Sequence, residues 1–456
     1  MNTVVPGMRM AGSGCPAIRW KAVAAVAALL LASLPTLAWY GRRLDDGSDE
    51  PLGLIALLAG LGTLGAAVRF GGRDRDQVRI AAGRMLAGAA GLAVVQAAGW
   101  PRYPLLTGLL TVAVIGFSLR MPRGKAGVMA LLVLSLPLVA SLDFYAGYPL
   151  RLAAAEITRW LLKLGGLPVE RAGVVILEGE RMVGIDPPCA GIRMLWTACF
   201  VAAVLAARLR LSAVRTLALL TMAVGCVIIG NGLRAAIVFF PESGRVAWPH
   251  WLHPGTGLLV HGGVLLAVFH LSGRLARLRR PRGSLLRRGM VVGFGLLAVV
   301  AGRTAERPGP IETQGIDEKW PAVWEGVPLV RLPLSKVEER FAAAFPGSIA
   351  RFRCGDAELI LRRTDRATRR MHPAADCLRA EGFTTHSEPA HRDADGRLWG
   401  TTRAGRDGRS WTVRERYVSA GGKACTDASA WFWNATLHPE AGPWTAVTMI
   451  RPAETP

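Results

Sequence analysis

Runs of roughly 16–21 apolar residues recur through the first two thirds of the chain, and each is long enough to cross the hydrocarbon core of a bilayer. That one feature restricts the fold severely. In lipid a lone segment must satisfy its own backbone polar groups, so each such run is expected to be a helix. The runs lie at about 22–40, 52–70, 80–99, 104–119, 126–144, 190–207, 214–233 and 257–272, and a shorter one lies at 289–301. The net charge of +22 is spread unevenly. Arg73, Arg75 and Arg79, then Arg120, Arg123 and Lys125, then Arg208, Arg210 and Arg215 occupy alternate loops. The strongest cluster, Arg274, Arg277, Arg279, Arg280, Arg282, Arg287 and Arg288, falls on the same side in that alternation. Under the positive-inside rule these loops and the N-terminus are cytoplasmic. The basic balance therefore reads as topology rather than nucleic-acid binding. The first run is read as a retained helix, not a cleaved signal.

Between the fifth and sixth runs comes a long stretch, 145–188, placed outside. Leu152, Ile157, Trp160, Leu161 and Leu164 share one helical face, with Arg151, Glu156, Arg159 and Lys163 opposite, which predicts an amphipathic helix along the interface. Residues 174–177 and 182–185 predict a hairpin. After a linker at Pro308-Gly309-Pro310 the composition turns polar, and an α+β domain is expected. Its helices are expected at about 335–345, 368–380 and 427–436, and its strands at about 349–353, 357–363, 396–403, 410–418 and 444–450. The whole is an all-α polytopic membrane domain of about 8–9 transmembrane helices followed by an extracytoplasmic α+β domain. The divisions are 1–275, 276–303 (basic loop and last span) and 304–456.

This threading returns three polar residues to one membrane face. Cys189 opens the sixth span, Arg234 closes the seventh, and His253 precedes the eighth. A helix N-terminus and a neighbouring guanidinium both favour thiolate over thiol. A thiolate beside an imidazole suits covalent acyl transfer, and arginine suits an oxyanion or a substrate carboxylate. Arginine at an outer span end runs against the charge bias, which sets a functional role for Arg234 beside that of a snorkelling anchor. His250 and His261 compete with His253, whereas His270 falls at the inner end. Cys199 and Cys226 lie mid-span and read as inert. The seven cysteines show no metal-ligand spacing, so neither a metal nor a cofactor is expected.

Cys189-Ala190-Gly191-Ile192-Arg193, Asn231-Gly232-Leu233-Arg234 and His253-Pro254-Gly255-Thr256-Gly257 together resemble the three motifs of the exosortase/archaeosortase family, over roughly residues 20–275. The resemblance implies a transpeptidase of the cytoplasmic membrane and protein substrates with a C-terminal sorting signal. That signal is a Pro-Glu-Pro-like motif, a membrane helix and a basic tail. It also implies transfer to a cell-surface acceptor, with Cys189 as nucleophile, Arg234 as electrostatic stabiliser and His253 as general acid/base. Pro254 stands where family members often carry an acidic or polar residue, so His261 stays open as the base. His372-Pro373-Ala374-Ala375-Asp376-Cys377 with Gly382-Phe383 loosely resembles a soluble domain associated with exosortases, where a structural or substrate-handling role is implied. The rival from another class is a non-catalytic polytopic component of envelope polysaccharide biosynthesis or export. A third reading, an anion transporter using Arg234, lacks the two related halves with broken helices that such folds show.

Overall fold

The computed structural model describes residues 20–45, 51–69, 78–98, 104–121, 124–179, 181–249, 251–278 and 320–453. The expected ninth span at 289–301, the linker at 308–310 and His250 lie outside the described residues. The chain divides into two units. One comprises residues 1–40 and 64–122, and the other residues 41–63 and 123–456.

The smaller unit is helical. α1 (Trp20–Ala32) and α2 (Leu34–Asp45) come from one apolar run, bent by 57° at Ser33. Pro35 explains the break, since it lacks an N–H and its ring opposes the carbonyl four residues back. α3 (Leu52–Arg69), which has most of its length in the larger unit, follows, then β1 (Arg79–Ile80), α4 (Ala82–Ala97), α5 (Pro104–Ser118) and β2 (Leu119–Arg120). Ala25, Leu29, Met85, Ala89 and Leu92 form its core. Thr36 donates to Thr107 at 3.0 Å, and Gln96 Nε2 to the Ala32 carbonyl at 3.0 Å. Arg79 and Ile80, expected in or beside a basic loop, pair antiparallel with Arg120 and Leu119.

The larger unit carries the motifs. α6 (Lys125–Leu134) and α7 (Val139–Leu164) meet at 93°. The fifth run is thus not one straight helix, because Pro137 ends α6 and the chain restarts in a new direction. α7 then absorbs the expected interface helix without a break. Its buried side also differs from the expected one. Arg151, Ala154, Ala155, Thr158 and Leu162 are buried, while Trp160 and Leu164 are exposed. Small residues decide this, because α9 (Ala213–Glu242) crosses so close that a Cβ on Gly232 would lie 2.5 Å from Ile157 Cγ2. There Thr158 Oγ1 donates to the Gly232 carbonyl at 3.1 Å.

β3 (Glu170–Ala172), β4 (Val175–Glu178) and β5 (Arg181–Gly184) form a small antiparallel sheet, with the expected hairpin paired Val175 to Gly184 and Glu178 to Arg181. A 3₁₀ turn (Pro187–Ala190) leads into α8 (Ile192–Arg208). Ala198, Ala202, Ala203 and Ala206 of α8 are fully buried, a small-residue seam that lets helices close on it. Gly127 of α6 needs its lack of a side chain for this, since a Cβ there would lie 2.3 Å from the Ala207 nitrogen. α10 (Leu252–Arg277) packs on α8 and α9. Two described helices, α9 and α10, are long and apolar enough to cross a membrane, and up to four spans result if each bent pair counts as one.

The C-terminal region is β-rich. β6 (Val323–Trp324), β7 (Val327–Leu332), α11 (Lys336–Ala342), β8 (Ser348–Cys354), β9 (Ala357–Thr364), α12 (Ala374–Ala380), β10 (Thr384–Arg392), β11 (Leu398–Arg406), β12 (Arg409–Ser419), β13 (Ala424–Cys425), α13 (Ala428–Leu437) and β14 (Trp444–Pro452) follow in order. Nine strands form one antiparallel sheet in the order β10-β11-β12-β14-β9-β8-β7-β6, with β13 beside β12. All five expected strands and all three expected helices occur. β7 and β10 were not expected, because each contains a proline (Pro328, Pro389), which strands tolerate near a sheet edge.

This region docks on the first turns of α7, and proline chemistry explains how. Pro149 has no N–H, so the Tyr145 carbonyl one turn earlier loses its helical partner. Trp433 Nε1 of α13 donates to that carbonyl at 2.7 Å, and Ser429 Oγ accepts from the Tyr148 N–H at 3.0 Å. Phe144 joins the core of Phe345, Met371, Tyr417, Trp431 and Trp444. Arg151, expected on the solvent side of an amphipathic helix, is 2% exposed and pairs with Asp427 at 2.7 Å.

Candidate functional site

Cys189 sits in the 3₁₀ turn between β5 and α8, where prolines at 187 and 188 suit the first positions of a helical turn. Gly191 follows at φ +76°, a left-handed conformation that favours glycine, and this lets α8 start in a new direction. Two hydrogen bonds hold the cysteine backbone. Its N–H donates to the Asp186 carbonyl at 2.8 Å, and its carbonyl accepts from Asn231 Nδ2 at 2.8 Å. Asn231 is buried and also fills the space beside Gly191. The Asn of the Asn-x-x-Arg motif thus fixes the nucleophile's main chain.

One turn later on α9, Arg234 comes close enough to the Cys189 thiol to act on it electrostatically. Its Nε is buried with no partner among the described residues. Gly257 of α10 makes room for the guanidinium, since a Cβ there would lie 3.3 Å from that Nε. All three motifs therefore converge: Cys189 with Asn231 and Arg234, and Arg234 with Gly257. His253 stands one turn before Gly257, half-exposed, with Nδ1 3.5 Å from Glu242 Oε1 at the end of α9. Glu242 acts electrostatically on Cys189 as well, so it links the imidazole to the thiol's surroundings. His261, the competing base, is engaged elsewhere, its Nε2 2.9 Å from Thr197 Oγ1 on α8. That hydroxyl also bonds the Arg193 carbonyl.

Electrostatics modify one expectation. Burial pushes the Cys189 thiol above its ordinary value, Arg234 pulls it down, and Asp186 and Glu242 add to the rise. Burial wins, so the resting group is a thiol rather than the expected thiolate. Asp186 is itself pushed up to about 6 by burial, against the pull of Arg151 and of the Ala390 backbone. Asp186, Asn231 and Glu242 were missed at the level of sequence. Asn231 belongs to a motif in which the arginine drew attention. Asp186 and Glu242 are single acidic residues at polar–apolar borders, with no spacing to mark them.

The second cysteine–histidine pair is of another kind. Cys377 Sγ lies 4.0 Å from His372 Nδ1, burial pushes the thiol up to about 11, and burial also lowers His372. A protonated thiol beside a neutral ring fits a structural role. Cys354, Cys377 and Cys425 are each free thiols. Among the described residues the acids close enough to share a cation are Glu325, Asp393 and Asp395, where Arg397 already supplies the positive charge.

No curated relative and no solved structure matches the chain. A family model described as transmembrane exosortase matches residues 16–270, which contain every residue of the three motifs. With more than half of its 456 residues matched, the chain belongs to the transmembrane exosortases, a family of membrane transpeptidases.

Proposed function

We propose that this chain is a membrane-embedded cysteine transpeptidase that cleaves the C-terminal sorting signals of exported proteins and passes them to a surface acceptor. The placing of the Arg234 guanidinium beside the Cys189 thiol carries the reading. It joins two motifs 45 residues apart at the one spot where a nucleophile and an oxyanion partner must coincide.

The mechanism begins from a protonated thiol and so requires a base. With Nδ1 toward Glu242, His253 has Nε2 for the Cys189 proton. As the S–C bond forms, the carbonyl electrons move to oxygen, where Arg234 stabilises them. Collapse of this adduct breaks the C–N bond, and His253 returns its proton to the leaving amine. The acyl group is then a thioester on Cys189. An acceptor nucleophile, or water, adds to it, gives its proton to His253 and expels the Cys189 sulfur, which is reprotonated.

The finer topology belongs to the same reading: 8–9 spans in the cytoplasmic membrane, with the N-terminus inside and the site and residues 304–456 outside. Arg208, Arg274 and Arg277 lie in the last turns of α8 and α10, at the ends remote from Cys189 and His253, which suits a cytoplasmic face. α10 carries the chain about 39 Å from its start. The C-terminal region nevertheless contacts the Cys189 end at Met182, and the ninth span expected from the sequence at 289–301 would account for the return. The divisions 1–275, 276–303 and 304–456 follow from this threading.

The test is processing of a tagged protein bearing such a signal in cells carrying Cys189→Ala. Processing is expected to stop. If it continues at the wild-type rate, the chain is not the transpeptidase, and a non-catalytic role in envelope polysaccharide export takes its place.

A further inference from the structure

The family match ends at residue 270, yet the C-terminal region reaches the nucleophile's own loop, directly at Met182 and Asp186 and through Arg151 at Ile185. Arg392 Nη2 lies 3.0 Å from Met182 Sδ. The Ala390 backbone lies close enough to the Asp186 carboxylate to act on it. Asp427 holds Arg151, whose Nη1 donates to the Ile185 carbonyl at 3.5 Å. These contacts bracket Met182–Asp186, and the Asp186 carbonyl in turn receives the Cys189 N–H.

We propose that the C-terminal domain is a working part of the catalytic site, holding the Cys189 loop in place through Arg151 as a positioning residue. This rests on the transpeptidase reading above. The guanidinium is used in three directions: Nη2 to Asp427, Nη1 to Ile185, and Nε to the Gly147 carbonyl at 3.4 Å. A planar fork can join helix, loop and domain in this way, and an ammonium cannot. Mere adhesion would not need it, since apolar residues of similar size often stabilise a buried contact as well as an ion pair does. What they cannot do is hold a backbone carbonyl in register four residues before Cys189, where the turn from Asp186 closes. Docking has other supports that bypass the loop, namely Ser429 on Tyr148, Trp433 on Tyr145, and Phe144 in the domain core.

Those separate supports make the proposal testable on the full chain in membrane vesicles. Asp427 also caps α13 by accepting the Ala430 N–H at 2.9 Å. Asp427→Asn keeps a good cap while removing the charge. Arg151→Lys keeps the charge but loses the fork. Two quantities are read: the alkylation rate of Cys189, by peptide mapping, and the single-turnover processing rate with its KM. Positioning predicts that both variants lose tenfold to a hundredfold in kcat with KM within twofold, the range expected when a reacting atom is displaced by about 1 Å. Cys189 alkylation changes with them, whereas Ser429→Ala leaves both readouts near wild type. If Asp427→Asn does not accumulate, Arg151→Lys decides alone. Arg151→Lys with wild-type kcat and alkylation overturns the proposal. So does Arg151→Met/Asp427→Asn restored to the wild-type rate, because the defect would then be a stranded charge and not a lost position. Alkylation requires no turnover, so a failure of positioning remains distinct from a failure of the transpeptidase reading, which Cys189→Ala tests.

Discussion

Gly257→Ala separates the site's geometry from the fold's stability. Gly257 lies in the first turns of α10, a regular helix, where alanine is favoured over glycine by about 1 kcal/mol. The added methyl would sit 3.3 Å from Arg234 Nε, 3.7 Å from Cζ and 3.8 Å from Nη2, so the guanidinium must give by a few tenths of an ångström. Complete loss of an oxyanion donor costs roughly 10²–10³ in rate, about 2.7–4 kcal/mol. A partial displacement is expected to forfeit a fraction of that, about 3- to 10-fold, or roughly 0.6–1.4 kcal/mol. The bulkier Gly257→Val is expected to lose more. The expected outcome is a variant at least as heat-stable as wild type in detergent but several-fold slower in single-turnover processing in vesicles. The reasoning fails if Gly257→Ala runs at the wild-type rate while Arg234→Ala falls to background. It also fails if the slower rate merely tracks a loss of folded protein.

The pH dependence of stability is set in part by Asp186. Its folded value of about 6 lies above the ordinary 3.8, so between those values the native state binds more protons than the unfolded chain. Stability therefore falls as pH rises through that window, to a full penalty of roughly 3 kcal/mol above it. Asp186→Asn keeps an acceptor beside the Ala390 backbone and should flatten this slope, gaining stability at pH 7.5 but not at pH 4. An unchanged profile of melting temperature against pH would refute it. His253→Ala should slow processing by about 10² or more, in line with loss of a general acid/base, whereas His261→Ala should stay within about threefold. The opposite ranking assigns the proton transfer to His261. In the C-terminal region, Arg362 is buried against Glu415 and donates to the His372 carbonyl at 2.8 Å. Arg362→Ala leaves Glu415 uncompensated and should cost about 3–5 kcal/mol in denaturant midpoint experiments.

Sequence patterning read some of these features directly and others not at all. The hairpin at 175–184 was legible because two short apolar runs flank the polar Glu178-Gly179-Glu180-Arg181. The three motif segments were legible because each joins a charged or nucleophilic residue to an apolar run. Helix bends at Ser33 and at Ser135–Leu138 were not, since hydropathy averages over a proline and only backbone sterics register it. The buried face of α7 was misjudged for a related reason. Bulky apolar residues outweigh Ala154, Ala155 and Thr158 in any hydropathy pattern, yet helices approach most closely along small residues. The thiol's protonation state was hidden as well, because charge near Cys189 can be read from loops but desolvation depends on what closes over it. Arg151 could not be assigned, since its partner is 276 residues away and carries no signal of its own.

That separation also sets an order of events in time. At about 5–20 residues per second, Asp427 is made roughly 15–55 s after Arg151. Throughout that interval Arg151 lacks the Asp427 carboxylate, and the Tyr145 carbonyl freed by Pro149 has no indole to receive. A nascent chain therefore carries its cysteine, arginine and histidine into the membrane well before the last strands can lock their loop. On the proposed positioning role, a chain interrupted before α13 would reach the membrane with its Cys189 loop unheld.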